Sequence, residues 1–231
     1  MKLNLKLVSL IIILLLSVST YAETFTAATI TSDYLARGIT QNNGESAVQG
    51  KIEESEIIPN SLVGLWLSNA VGSNNTAESE VDLYARYNLI SDDNVKLSFL
   101  ALFYYYTKTH AFNTWDYQII FENSYANLLF SYRDDFFGTK SKNLYYEISK
   151  KIEINSQKKL SLLAVLGFAY FNDTDKAGMD NYANHGVSLI KTIENNEFTL
   201  FYSNTDRRTI AGTSKNKAYD QNTGVSVTHI F

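Results

Sequence analysis

Charged side chains recur at even spacing in this sequence. Glu80, Asp82 and Arg86 alternate with Val81, Leu83, Ala85 and Tyr87. In an extended chain successive side chains point to opposite faces, so the three charges share one face and the apolar residues the other. The same phasing gathers Gln49, Lys51 and Glu53, then Asp116, Gln118 and Glu122, then Arg133 with Asp135, and Glu147 with Lys151. A confined interior that carries both signs has two uses. It can line a water-filled passage whose charges set selectivity among small hydrophilic solutes. It can also pair internally into a salt-bridged plug that carries nothing. The pattern marks Lys51, Glu53, Glu80, Asp82, Arg86, Arg133 and Glu147 as the lumen-lining set, with four acids against three bases. That margin is too small to dictate a sign of selectivity. Arg37 is expected near the outer rim.

Nucleophilic chemistry fits the same strands poorly. A Ser and a His that cooperate on one face of a strand must lie an even number apart. His185 and Ser188 are three apart, as are Ser226 and His229, and His110 falls in a loop without a useful Ser or acid. An outer-membrane lipid hydrolase is therefore the weaker alternative, and no catalytic residue is assigned. There are no cysteines, hence no thiolate metal site, disulfide or lipidated Cys. Asp173-Thr174-Asp175 lacks the Gly and terminal Glu of a calcium loop. No metal or cofactor is assigned.

The elements that position the charges are strands. Alternation along the chain gives roughly twelve, at 24–38, 45–55, 61–70, 79–90, 94–106, 113–122, 125–135, 142–154, 158–171, 181–193, 196–206 and 219–231. Each supplies the ~9–11 residues that a tilted strand needs to cross a bilayer. Connections alternate in length. The inward ones, such as Ser91–Asp93 and Glu194–Asn195, are short; most outward ones, such as Asn172–Asp180 and Arg207–Ala218, are longer. This asymmetry and the even strand count describe an all-β, transmembrane, antiparallel up-and-down barrel of the outer-membrane type. A soluble sandwich would not explain it. Lys150 breaks the pattern near a strand end, where a long stem reaches the interface. Aromatic residues cluster at two levels, as interfacial girdles do. Tyr104-Tyr105-Tyr106, Phe136-Phe137, Tyr145-Tyr146, Tyr170-Phe171 and Tyr182 fall at the outer level; Phe25, Tyr87, Tyr125, Phe198 and Phe231 fall at the inner one.

The two ends agree. Lys2 and Lys6, the apolar run Leu7–Leu16 and the small residues up to Ala22 read as a cleaved signal peptide over residues 1–22, leaving 23–231 as one barrel domain. The apolar run is too short for a spanning helix of ~20 residues. Loss of Lys2 and Lys6 takes the formal net charge from −4 to −6, which favours no nucleic-acid partner. The last segment, Val225 to Phe231, alternates and ends on an aromatic ring. Phe231 is expected to act as the signal read by the barrel-assembly machinery, with outer-membrane lipids as the other partner. Oligomeric state is left open.

Several stretches resemble a proteobacterial family of porins often labelled TorF or Gcw. Ser32-Asp33-Tyr34-Leu35-Ala36-Arg37-Gly38-Ile39-Thr40-Gln41 is similar to that family's S-D-Y-x-x-R-G-[IV]-[ST]-Q. Ala47-Val48-Gln49-Gly50, Leu65-Trp66-Leu67-Ser68-Asn69 and Glu80-Val81-Asp82-Leu83-Tyr84 resemble further elements, and Ala36 stands where the family often has an aromatic. Looser likeness continues to Phe231. The resemblance implies an outer-membrane channel with poorly defined substrates and no catalytic residues.

Overall fold

The computed structural model describes residues 22–71, 77–206 and 221–231. The expected signal peptide, save Ala22, lies outside the described residues, as do the outer connections within 72–76 and 207–220. The strands are β1 (Glu23–Thr31), β2 (Leu35–Ala36), β3 (Ile39–Thr40), β4 (Ala47–Ser55), β5 (Ser61–Val71), β6 (Ala77–Ser91) and β7 (Val95–Tyr106). They continue as β8 (Thr114–Asn123), β9 (Asn127–Arg133), β10 (Asn143–Asn155), β11 (Leu160–Phe171), β12 (Tyr182–Ile193), β13 (Asn196–Thr205) and β14 (Asn222–Ile230). A single helical turn, α1 (Thr174–Ala177), sits in an outer connection.

Twelve of these strands close into a barrel, each pairing antiparallel with its neighbours in sequence, and β14 closes on β1. At the seam Thr29 faces Thr228, and their hydroxyls hydrogen-bond at 2.8 Å. Only β2 and β3 leave the wall; β1 therefore pairs directly with β4.

Burial is inverted relative to a water-soluble protein. Ile30, Val48, Leu166 and Val225 project outward, each more than half exposed, whereas Glu80, Asp116, Asn143, Ser68 and Ser98 are almost fully buried inside. An apolar outer band suits hydrocarbon, and closure leaves no strand edge to be satisfied there. Period-2 patterning is the cause: even residues of β8 and, up to the bulge between Asn88 and Ile90, of β6, and odd residues of β4, β9 and β10 lie on the inward face.

Three features depart from the sequence reading. The first strand ends at Thr31 rather than residue 38, because Ser32–Ser46 turns into the barrel. Thr31 Oγ1 donates to the Asp33 carbonyl at 2.7 Å, and Arg37 and Gly38 adopt φ of 53° and 80° to make a two-residue hairpin between β2 and β3. Arg37 therefore points into the lumen from a loop, at the level of the outer strand ends where Asp116, Ser131 and Asn143 lie. The strand expected at 125–135 spans 127–133, and Asp135 sits in the following turn, accepting from the Lys140 amide at 2.7 Å. The outer aromatic girdle is split by parity. Tyr105, Tyr146 and Tyr170 lie on the outward phase of their strands, while Tyr106, Tyr145, Phe171 and Tyr182 are buried inside. The Lys150 ammonium reaches the Ser124 carbonyl in the turn before β9.

Candidate functional site

The hairpin β2–β3 crosses the lumen. It is pre-shaped by its own side chains: Thr40 Oγ1 donates to Asp33 Oδ1 at 2.5 Å and accepts from the Gly44 amide at 2.8 Å, and Asn42 Oδ1 accepts from the Tyr34 amide at 3.1 Å. Burial lifts the Asp33 carboxyl above the usual aspartate range, against the pull of the Thr40 hydroxyl. Gly38 packs so closely on β12 that a Cβ there would lie 2.6 Å from the Asn184 Cβ.

From this hairpin Arg37 reaches the opposite wall. Its Nη2 donates to Asp116 Oδ2 at 2.6 Å and to Ser131 Oγ at 2.8 Å, and its guanidinium lies 4.5 Å over the Tyr145 ring. Arg133 Nε donates to the same Asp116 oxygen at 2.8 Å, and Ser131 Oγ donates to the other at 2.6 Å. Arg133 is also sandwiched by the Tyr104 and Phe137 rings at 4.6 and 4.9 Å. A buried charge is tolerable only when paired in this way.

The lumen-lining set comes to one interior but to different environments. Lys51 pairs with Glu53 at 3.0 Å, and Glu53 accepts from the Tyr84 hydroxyl at 2.7 Å. Arg86 pairs with Glu122 and donates to Ser98 Oγ at 2.9 Å. Glu147 accepts from the Tyr145 hydroxyl at 2.9 Å. Glu80 and Asp82 are buried on β6. All seven residues lie on β4, β6, β9 and β10. The half formed by β11–β14 and β1 was not anticipated as distinct. It presents small neutral residues, among them Val165, Ser188, Thr199, Ser226 and Thr29.

Three cavities follow from this asymmetry. One of about 460 Å³ lies along the neutral half and is bounded by Asp33, Tyr34 and Arg37 of the first loop. A second, about 350 Å³, opens below it towards the inner end, lined by Phe25, Lys51, Glu197 and Ile230. These two share Thr29, Gln49 and Trp66. The third, about 450 Å³, lies against the charged half, lined by Glu80, Asp82, Tyr84, Leu100 and Tyr104.

The residues weighed for hydrolysis stay apart. His185 is exposed on the outer face, whereas Ser188 lines the lumen. His110 begins a 3-10 turn and bonds the Tyr106 carbonyl at 3.0 Å. His229 bonds Asn196 at 2.9 Å. Asp173 caps α1, where the Lys176 amide and ammonium hold its carboxyl below the usual range.

A closed, lipid-facing twelve-stranded barrel with a polar, partly hollow lumen and an inserted first loop defines the class. Residues 18–231 match the family described as "Bacterial protein of unknown function (Gcw_chp)", and the chain belongs to that family. No curated protein matches it. Among solved structures it resembles a KdgM porin, with a TM-score of 0.53, 11% identity, and coverage of 90% of this chain and 99% of that one. A second KdgM structure, "in complex with disordered oligogalacturonate", gives 0.52 and 11% over 90% and 99%. A NanC porin gives 0.52 and 11% over 90% and 98%. At such identities the likeness is one of fold.

Proposed function

We propose that this protein is an outer-membrane porin, a narrow passive channel for small hydrophilic solutes, as the TorF label of the resemblance also implies. The observation that carries this reading is the pair of cavities along the neutral half. They meet at Thr29, Gln49 and Trp66 and extend from the first-loop hairpin towards the inner end. Small neutral side chains leave that half hollow. Resemblance in fold to KdgM and NanC porins supports the same reading. In this account residues 1–22 are removed on export, the barrel-assembly machinery inserts residues 23–231, and lipids surround the apolar band. Oligogalacturonate names what one KdgM structure holds; the mixed charges of the lumen here single out no such solute.

A second reading is favoured by the Arg37–Asp116 clamp, which holds a hairpin across the lumen. In it the barrel is plugged and acts structurally. Single-channel recording of the refolded protein in a planar bilayer separates the two. A porin gives discrete conductance steps. A folded barrel that never conducts leaves the plug.

A further inference from the structure

The cavity on the charged half has chemistry that the pairing described above does not use. Its centre is a cross-strand row on the lumen face. Asp82 is paired in register with Trp66 on one side and Tyr104 on the other; Glu80 is paired with Ser68 and Tyr106. Directly paired positions on one face bring side chains within contact. Tyr34 from the hairpin tilts over Trp66 at a centroid distance of 5.1 Å. Leu100 and Leu102 add an apolar patch.

Two observations point to a missing cation. The first is charge. Among the described residues Glu53, Glu80, Asp82, Glu147 and the adjoining Asp116 meet Lys51, Arg37 and Arg133, five carboxyls against three bases. The second is hydrogen bonding. Glu80 is only 1% exposed and Asp82 7%, and among the described residues Glu80 Oε2 and Asp82 Oδ1 have no hydrogen-bond donor beyond the neighbouring acid. Buried carboxylate oxygens ordinarily accept a hydrogen bond. Both residues line a cavity of about 450 Å³, within the range of small-molecule sites, ~300–1,000 Å³. Aromatic faces around a carboxylate favour an organic cation over a strongly hydrated inorganic one.

We infer that this cavity binds a small primary organic ammonium, its charge held by the Glu80 and Asp82 carboxyl groups and its carbon body resting against Trp66, Tyr34 and Leu102. The inference rests on the porin reading for its meaning, since it names a solute class that the channel would hold. It does not rest on conduction for its test.

The chain has two tryptophans, Trp66 in the cavity and Trp115 half exposed on the outer face. In a Trp115→Phe background Trp66 is the sole indole. Titrating the refolded barrel in detergent with n-butylammonium chloride should change its fluorescence saturably. Butan-1-ol, and potassium chloride at equal ionic strength, should not. Glu80→Gln with Asp82→Asn should weaken the response about tenfold or more, the loss of a charge-assisted hydrogen bond. Glu80→Gln alone should give an intermediate loss, and it serves if the double variant does not fold. An unsaturable signal, an equal response to potassium or butanol, or unchanged affinity in the folded variants would overturn the site. Because binding is read without a bilayer, a barrel that binds but does not conduct sinks only the porin reading. One that conducts but does not bind sinks only this inference.

Discussion

Arg37 and Asp116 meet across the barrel. One stands at the tip of a hairpin that follows β1; the other is fully buried on β8, five strands away around the ring of twelve. Their 2.6 Å ion pair is the tether that holds the first loop inside the lumen. Arg37→Ala should leave the barrel folded, because Asp116 keeps Arg133, at a cost of about 1.5–3 kcal/mol for one charged hydrogen bond. Single-channel conductance should rise severalfold as the hairpin loosens. An unchanged conductance in the folded variant would show that the hairpin does not restrict the path.

The partner substitution should behave differently. Asp116→Asn removes the one carboxylate that both Arg37 and Arg133 contact. Arg133 is 4% exposed, so an uncompensated charge remains buried, a cost of about 3–5 kcal/mol. Urea denaturation in lipid vesicles should therefore rank Asp116→Asn as clearly less stable than Arg37→Ala. The opposite order would mean that Arg133 finds another acid, with Glu80 and Asp82 the nearest candidates.

These two residues also show what the sequence could convey. Alternation marked Asp116 as inward, along with every member of the lumen set, because a strand's period of two reports the face directly. Arg37 was read into the first strand because Asp33, Leu35 and Arg37 continue the alternation of β1. The sign that the wall ends at Thr31 is local turn chemistry: Arg37-Gly38 at positive φ, and Thr40 and Asn42 capping the loop. Paired rings such as Tyr145-Tyr146 misled for a related reason. They share a level, but parity sends one to lipid and one into the lumen. The neutral half was invisible because small residues leave no pattern; hollowness is a property of the closed ring.

That half yields a parity test. Ser188 lines the larger cavity and Val187 faces outward. Ser188→Phe should sharply reduce conductance, whereas Val187→Phe, one residue away, should leave it near the parent value. Equal effects would place the path elsewhere, along the charged half.

Selectivity should be governed where charge borders the open route. Glu197 lines the inner cavity, on the half whose other cavity-lining residues are mostly small and neutral. Within a Debye length of ~8 Å at physiological salt, reversing it repels cations and attracts anions. Glu197→Lys should shift the reversal potential under a salt gradient towards anions. Glu122→Gln, which alters the acid paired with Arg86, should shift it less. Charge reversal at Glu80 and Asp82 should also favour anions, but through the cavity on the charged half and with a larger loss of folded barrel, since both are buried. If Glu122→Gln moves the potential more than Glu197→Lys, the ions pass along the charged half.

Phe231 raises a question of recognition rather than packing. Its amide donates to the Thr26 carbonyl at 3.1 Å, its ring meets His229 edge-on at 4.6 Å, and it is 74% exposed. Phe198, on β13, is an exposed ring on the same outward face near the same end of the barrel. If both rings act only as interfacial anchors, replacing either by Lys should have similar, modest effects everywhere, because charge is tolerated near the interface at about 0–1 kcal/mol. If Phe231 is read during assembly, the two variants diverge by setting. Refolding into vesicles without helper proteins should proceed comparably for Phe231→Lys and Phe198→Lys. In cells, the yield of heat-modifiable folded barrel should fall far more for Phe231→Lys. Equal yields in cells would reduce Phe231 to an anchor like any other ring on that rim.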